Sequence, residues 1–117
     1  MQYICLIYSN EANGPHPGTP EFGPYMQAYI DFTKTVEDAG VFVGGEALEL
    51  SVTATTVTME NGKVETMDGP FAETKEQLGG YYVLDCENLD EAVQYASMIP
   101  TAKHGRIEVR PIMVLDQ

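Results

Sequence analysis

An α+β sandwich, an antiparallel sheet carrying its helices on one face, is the fold class this sequence predicts, and three observations predict it. Phe22–Val36 and Leu89–Met98 show the 3-4 apolar period of amphipathic helices. Short β-rich segments run around them, and two of these flank Asn61-Gly62, the strongest short hairpin signal. The resulting order of strand, helix, hairpin-bearing strands, strand, helix and strand is that of a ferredoxin-like sandwich.

Gln2–Tyr8 is apolar on both alternating sets, with Tyr3, Cys5 and Ile7 on one face and Ile4, Leu6 and Tyr8 on the other. That pattern predicts a central strand covered on both sides. Ser9–Pro20 holds two glycines and three prolines and predicts a loop of a length that tends to be functional or mobile. For the first helix Thr19 is the expected cap, Pro20 the first helical residue and Gly40 the terminator. Its stripe is Phe22, Tyr25, Tyr29, Phe32 and Val36, a pattern expected of core residues.

Val41–Leu50 predicts a strand broken at Gly44-Gly45 by a bulge or close backbone approach. Ala54–Met59 and Lys63–Met67 form the hairpin, with Glu60 and Lys63 facing each other beside the turn. DGPFAETKEQLGG, Asp68 to Gly80, follows. Gly69-Pro70 predicts a sharp turn, and Glu73–Gln77 a short helical connector anchored in the core by Phe71 and Leu78. Gly79 is the expected cap of that connector, and Gly80 permits close approach to the next strand, Tyr81–Cys86. Asn88 with Glu91 predicts a capped start for the second helix, whose inward residues are Leu89, Ala92, Val93 and Ala96. Lys103–Arg106 is a basic turn, and Ile107–Leu115 the last strand.

A length of 117 residues predicts a single domain, residues 1–117, able to bury a core without a disulfide or metal staple. Eighteen acidic residues against six basic ones give a net charge of −12. Such a surface argues against binding nucleic acid through its phosphates and against an anionic membrane. Cys5 and Cys86 lie in apolar runs and predict buried, reduced thiols. No cysteine–histidine cluster suggests a metal site, no glycine-rich phosphate loop suggests a nucleotide, and no cofactor is expected. No apolar run reaches the ~18–20 residues that span a bilayer. The N-terminus enters a strand directly, and a soluble cytoplasmic protein is the expectation.

The two-faced strands carry a further consequence. Helices on one side bury one face of a sheet, yet Gln2–Tyr8, Tyr81–Cys86 and Ile107–Leu115 read as apolar on both. A second copy related by a two-fold axis is the simplest cover. A homodimer with facing sheets is therefore expected.

DGPFAETKEQLGGYYVLD, with GGEAL and ATTV upstream and EVRPIM downstream, resembles the YCII-related proteins, specifically their DGPF-domain branch. The likeness runs along nearly the whole chain. It implies a dimeric α+β barrel of ferredoxin-like protomers. The wider superfamily implies isomerases, lyases and cofactor-free oxygenases acting on small molecules. A His–Asp pair is the reactive centre implied by YCII-like relatives. Asp68 matches the aspartate; the histidines here are His16, in the loop before the first helix, and His104, in a turn near the C-terminus.

Asp68 is the first candidate base, since a partly buried carboxylate can take a proton from an activated carbon acid. His16 is the candidate proton shuttle by residue type. Lys75, one of four lysines, could neutralise an anionic substrate or pair with Asp68. Glu46, Glu73, Tyr8 and Tyr81 are candidate substrate-binding residues. The expected function is a cofactor-independent enzyme of isomerase or lyase type, acting on a small organic molecule at or near a dimer interface. The alternative is a non-catalytic ligand-sensing or partner-binding dimer working alongside a transcription regulator.

Overall fold

A computed structural model describes residues 1–115. Six strands and two α-helices follow one another along the described residues: β1 (Gln2–Ser9), α1 (Phe22–Asp38), β2 (Phe42–Ala47), β3 (Thr55–Glu60), β4 (Lys63–Asp68), β5 (Gln77–Asp85), α2 (Leu89–Ser97) and β6 (Arg106–Pro111). Four strands form one sheet in the order β2-β5-β1-β6, every neighbour antiparallel. This is the ferredoxin-like α+β arrangement, with β3 and β4 inserted as a separate two-stranded ladder.

The strand register sorts the side chains. Tyr3, Cys5 and Ile7 stand opposite Leu84, Tyr82 and Gly80 across β5, and opposite Pro111, Val109 and Ile107 across β6. Paired residues share a face, and this face is the core: Tyr3, Cys5, Ile7, Tyr82 and Leu84 are buried with Phe32 and Val36 of α1 and Ala92 and Ala96 of α2. Both helices thus lie on one side. Ile4, Leu6, Tyr8, Tyr81 and Val83 occupy the other face, where β6 contributes Arg106, Glu108 and Arg110. The last strand is therefore apolar on one face only, and it ends at Pro111 rather than Leu115.

Several local expectations hold. Gly40, at φ +76°, ends α1, and the register slips between Phe42 and Gly44. Asn61 and Gly62 both adopt positive φ, +51° and +78°, as a tight two-residue hairpin turn requires. Glu60 pairs with Lys63 in the ladder. At α2, Asn88 Oδ1 accepts from the Glu91 N–H at 2.9 Å, while Glu91 reaches back to the Glu87 N–H at 3.2 Å. Leu89 and Val93, however, are about half exposed, leaving Ala92 and Ala96 as the buried pair.

Other expectations fail, for identifiable reasons. Helix α1 begins at Phe22, and its cap position, Glu21, makes no side-chain capping bond. Thr19 instead closes the preceding turn, its hydroxyl donating to the His16 carbonyl at 2.7 Å. Pro24 occupies the first turn, where a missing N–H goes unnoticed. The connector 71–76 is not helical. Strand pairing captures its end, because Gln77 and Leu78 join β5 opposite Ser9 and Tyr8. Gly79 becomes the extra residue of a bulge rather than a cap. Gly80 does serve close approach, since a Cβ there would stand 2.8 Å from the Glu46 carbonyl oxygen. Phe71 is 84% exposed and Leu78 36%, so neither anchors the connector in the core.

Both cysteines are free and buried. Burial, with neighbouring Cys86 as a smaller influence, pushes the Cys5 thiol up to about 11. The folded chain therefore holds this proton more tightly than the unfolded chain does. Its stabilising contribution is complete below the unfolded thiol's pKa of ~8.5 and is lost as pH rises through about 11. Urea midpoints measured across that window should fall more steeply for the native sequence than for Cys5→Ala. Equal slopes would show that Cys5 does not drive the loss.

Candidate functional site

A cleft of about 800 Å³ opens on the helix side of the sheet. Its floor is the edge where β2 meets β5, with Phe42 and Tyr82. Helix α1 forms one wall through Tyr25, Tyr29 and Thr33, and His16, Leu48 and Leu50 stand at the rim. The edge can come this close because Gly45 lacks a side chain: a Cβ there would sit 2.7 Å from the Tyr81 carbonyl oxygen. On the loop side, the turn Glu11–Asn13 is held in place by Glu11. Its carboxylate accepts from the Ser51 N–H and hydroxyl, both at 2.8 Å, so it is committed to structure.

Aromatic hydroxyls give the cleft its chemistry. Tyr25 and Tyr29 sit one helical turn apart and both share hydrogen bonds with Thr101 Oγ1, at 2.5 Å for Tyr29. A threonine hydroxyl has one proton, so at least one tyrosine must donate to it. Thr33 and Tyr82 form a second pair at 2.7 Å. Burial is the main cause that pushes both the Tyr29 and the Tyr82 phenol up, outweighing the bonds from Thr101 and Thr33. These phenols keep their protons at neutral pH and act as hydrogen-bond donors, not as bases. Tyr29 and Tyr82 run nearly parallel, with ring centroids 6.4 Å apart and planes at 4°, and Phe32 and Phe42 pack edge-on against Tyr82.

The residues singled out in the sequence divide by position. His16 lines the cleft. Glu46 and Tyr81 border it, although strand alternation directs their side chains to the face away from the helices. Tyr8 lies on that same far face. Asp68 ends β4, exposed and outside the cleft, where its backbone pairs with Thr55. Gly69, at φ +89°, turns the chain there, and its N–H donates to the Ala54 carbonyl at 2.7 Å. Glu73 and Lys75 are exposed on the connector. The connector is fastened by its neighbours: Gln77 receives the Glu11 N–H at 2.9 Å, and Glu76 pairs with Arg106 at 3.1 Å. The structure does not bring Asp68, Lys75 and His16 together at the cleft.

Tyr25, Tyr29, Tyr82 and Thr101 were not recognised as a group from sequence. Tyr25 and Tyr29 read as core because their spacing is that of a packing stripe. Their polar ends were the available signal, since a buried tyrosine hydroxyl needs a partner. Thr101 lies more than seventy residues away and gives no local sign of supplying it.

No cluster of three or more candidate metal ligands occurs among the described residues. No described helix is long and apolar enough to cross a membrane. An uncharacterized protein of Rhizobium meliloti (strain 1021) is 35% identical over 114 residues, spanning 96% of this chain and 92% of its own length. The pattern of the YCII-related domain matches residues 1–116. The chain belongs to the YCII-related family.

Proposed function

We propose that the protein works as a homodimer that binds a small organic molecule in the tyrosine-lined cleft and acts on it by proton transfer without a cofactor. The observation that carries this reading is that His16 and the hydroxyls of Tyr25, Tyr29 and Tyr82 line one partly apolar cavity. In the reaction, the His16 imidazole takes a proton from a carbon next to a carbonyl. A tyrosine hydroxyl holds the developing enolate oxygen. Returning the proton to a neighbouring carbon completes an isomerisation; departure of a leaving group with the electron pair completes an elimination.

The dimer is supported by the sheet. The molecule is 19 Å thick in its thinnest direction, about the depth of one sheet and one helix layer. Its own chain leaves Ile4, Leu6, Tyr8 and Val83 only half-buried, and a second sheet across a two-fold axis would complete their burial. A binding-only role is the second reading, favoured by the placement of Asp68 and Lys75 outside the cleft and the commitment of Glu11 to Ser51.

One experiment separates the two. Carbonyl-bearing small molecules are tested for raising Tm, since a ligand at a hundredfold excess over its Kd stabilises by ~2.7 kcal/mol. The shift should be lost in Tyr29→Ala, and turnover in His16→Asn with the shift retained. A shift that survives Tyr29→Ala places binding outside the cleft. A bound ligand that is never converted supports sensing.

A further inference from the structure

The β3–β4 hairpin stands apart from the body of the molecule. Among its strand residues only Thr56 is even half-covered. Two bonds tie down its base: Gly69 N–H to the Ala54 carbonyl at 2.7 Å, and the Thr56 hydroxyl to the Gly69 carbonyl at 2.8 Å. An isolated two-stranded hairpin is at best marginally stable in water. The radius of gyration, 16.3 Å, also exceeds the ~13 Å of a compact chain of this length.

The register makes the hairpin two-sided. Val57 pairs with Thr66 and Met59 with Val64, on the same face as Thr55 and Asp68. The opposite face carries Thr58 with Glu65 and Glu60 with Lys63, and Thr56 with Met67 at its base. Val57, Met59 and Val64 are 58%, 63% and 64% exposed. A strand pair that alternates in this way is built to bury one face, and nothing in its own chain does so.

We infer that this hairpin is an exchanged arm: its Val57–Met59–Val64 face packs on a second copy of the chain and carries Asp68 onto that copy. The inference rests on the homodimer proposed above. Three observations favour a second copy as the occupant. The arm is inserted between β2 and β5, strands of the same sheet whose half-buried Ile4–Leu6–Val83 face is proposed to meet the second copy. The flatness of the molecule keeps the arm in the plane of the body, free to reach past it. Two copies at −12 each repel through their surfaces, so their contact must be made by apolar side chains such as Val57, Met59 and Val64, which share this face with Thr55, Thr66 and Asp68. Asp68, remote from the cleft of its own protomer, thereby becomes a residue presented to the other.

Sedimentation of the full chain tests this. The native protein should be dimeric. Val57→Glu should raise its dissociation constant about a hundredfold, whereas Thr58→Glu, the same charge on the opposite face, should leave it nearly unchanged. A photoreactive benzoylphenylalanine at Met59 should give covalent dimers, and one at Thr58 should not. A native dimer that Val57→Glu leaves intact, with Met59 cross-linking within its own chain or not at all, overturns the arm and spares the dimer. A native chain that stays monomeric at hundreds of micromolar overturns both.

Discussion

Gly105→Ala should lower the stability of the fold by at least about 3 kcal/mol and its Tm by more than about 10 °C. The position tolerates the backbone angles of an ordinary residue, so the penalty is one of space. A Cβ would stand 2.2 Å from the Tyr8 carbonyl oxygen, 2.9 Å from Thr101 Cγ2 and 3.0 Å from Ser9 Cβ. The first is backbone of a central strand and cannot swing aside. The Gly105 N–H also donates to the Thr101 carbonyl at 2.7 Å, so relief of the clash would pull the turn at Pro100–Lys103 off β1. Thr101 would leave Tyr25 and Tyr29 with it. Lost stability and an opened hydroxyl cluster should therefore appear together in urea unfolding and in tyrosine fluorescence. Gly23→Ala is the control, because nothing lies within 4 Å of its added carbon. Unfolding of Gly105→Ala at the native urea midpoint would show that the approach of the turn to β1 is not rigid.

Leu84→Ala should cost about 2–5 kcal/mol. Leu84 is fully buried on β5, a central strand, opposite Tyr3 on β1 and Phe42 on β2. Helices cover it from above and paired strands confine it on both sides, so the vacated space can collapse only by moving a sheet. With total stabilities of about 5–15 kcal/mol, that is a large fraction of the whole. Chemical denaturation should show a lower midpoint with an unchanged slope. A loss under about 1 kcal/mol would mean that the core around β5 repacks freely.

The two substitutions mark the division between local and non-local information. Leu84 could be placed in the core from its own strand, because alternation along YYVLDC puts it in phase with Tyr82. Gly105 could not. Its sequence neighbours describe a basic turn, and only the fold brings Tyr8, almost a hundred residues earlier, against it. The connector failed for the same reason: the helical character of Glu73–Gln77 is a local preference, and pairing of Gln77 and Leu78 with β1 overrode it. The candidate site shows the contrast most clearly. Asp68 drew attention because it opens a distinctive motif, yet it sits at the foot of an exposed arm. The cleft is made by Tyr25, Tyr29, Tyr82 and Thr101, residues that look like ordinary packing when read singly.

By itself the sequence determined the α+β class, the two helices, the Asn61-Gly62 hairpin, the break of the strand at Gly44-Gly45 and the apolar character of the central strands. Each depends on periodicity or turn chemistry within a few residues. Only the tertiary structure decided where Asp68 lies, which hydroxyls meet, and that β3 and β4 form an uncovered arm. Those facts depend on strand order and on contacts between distant segments, which no local preference of a residue encodes.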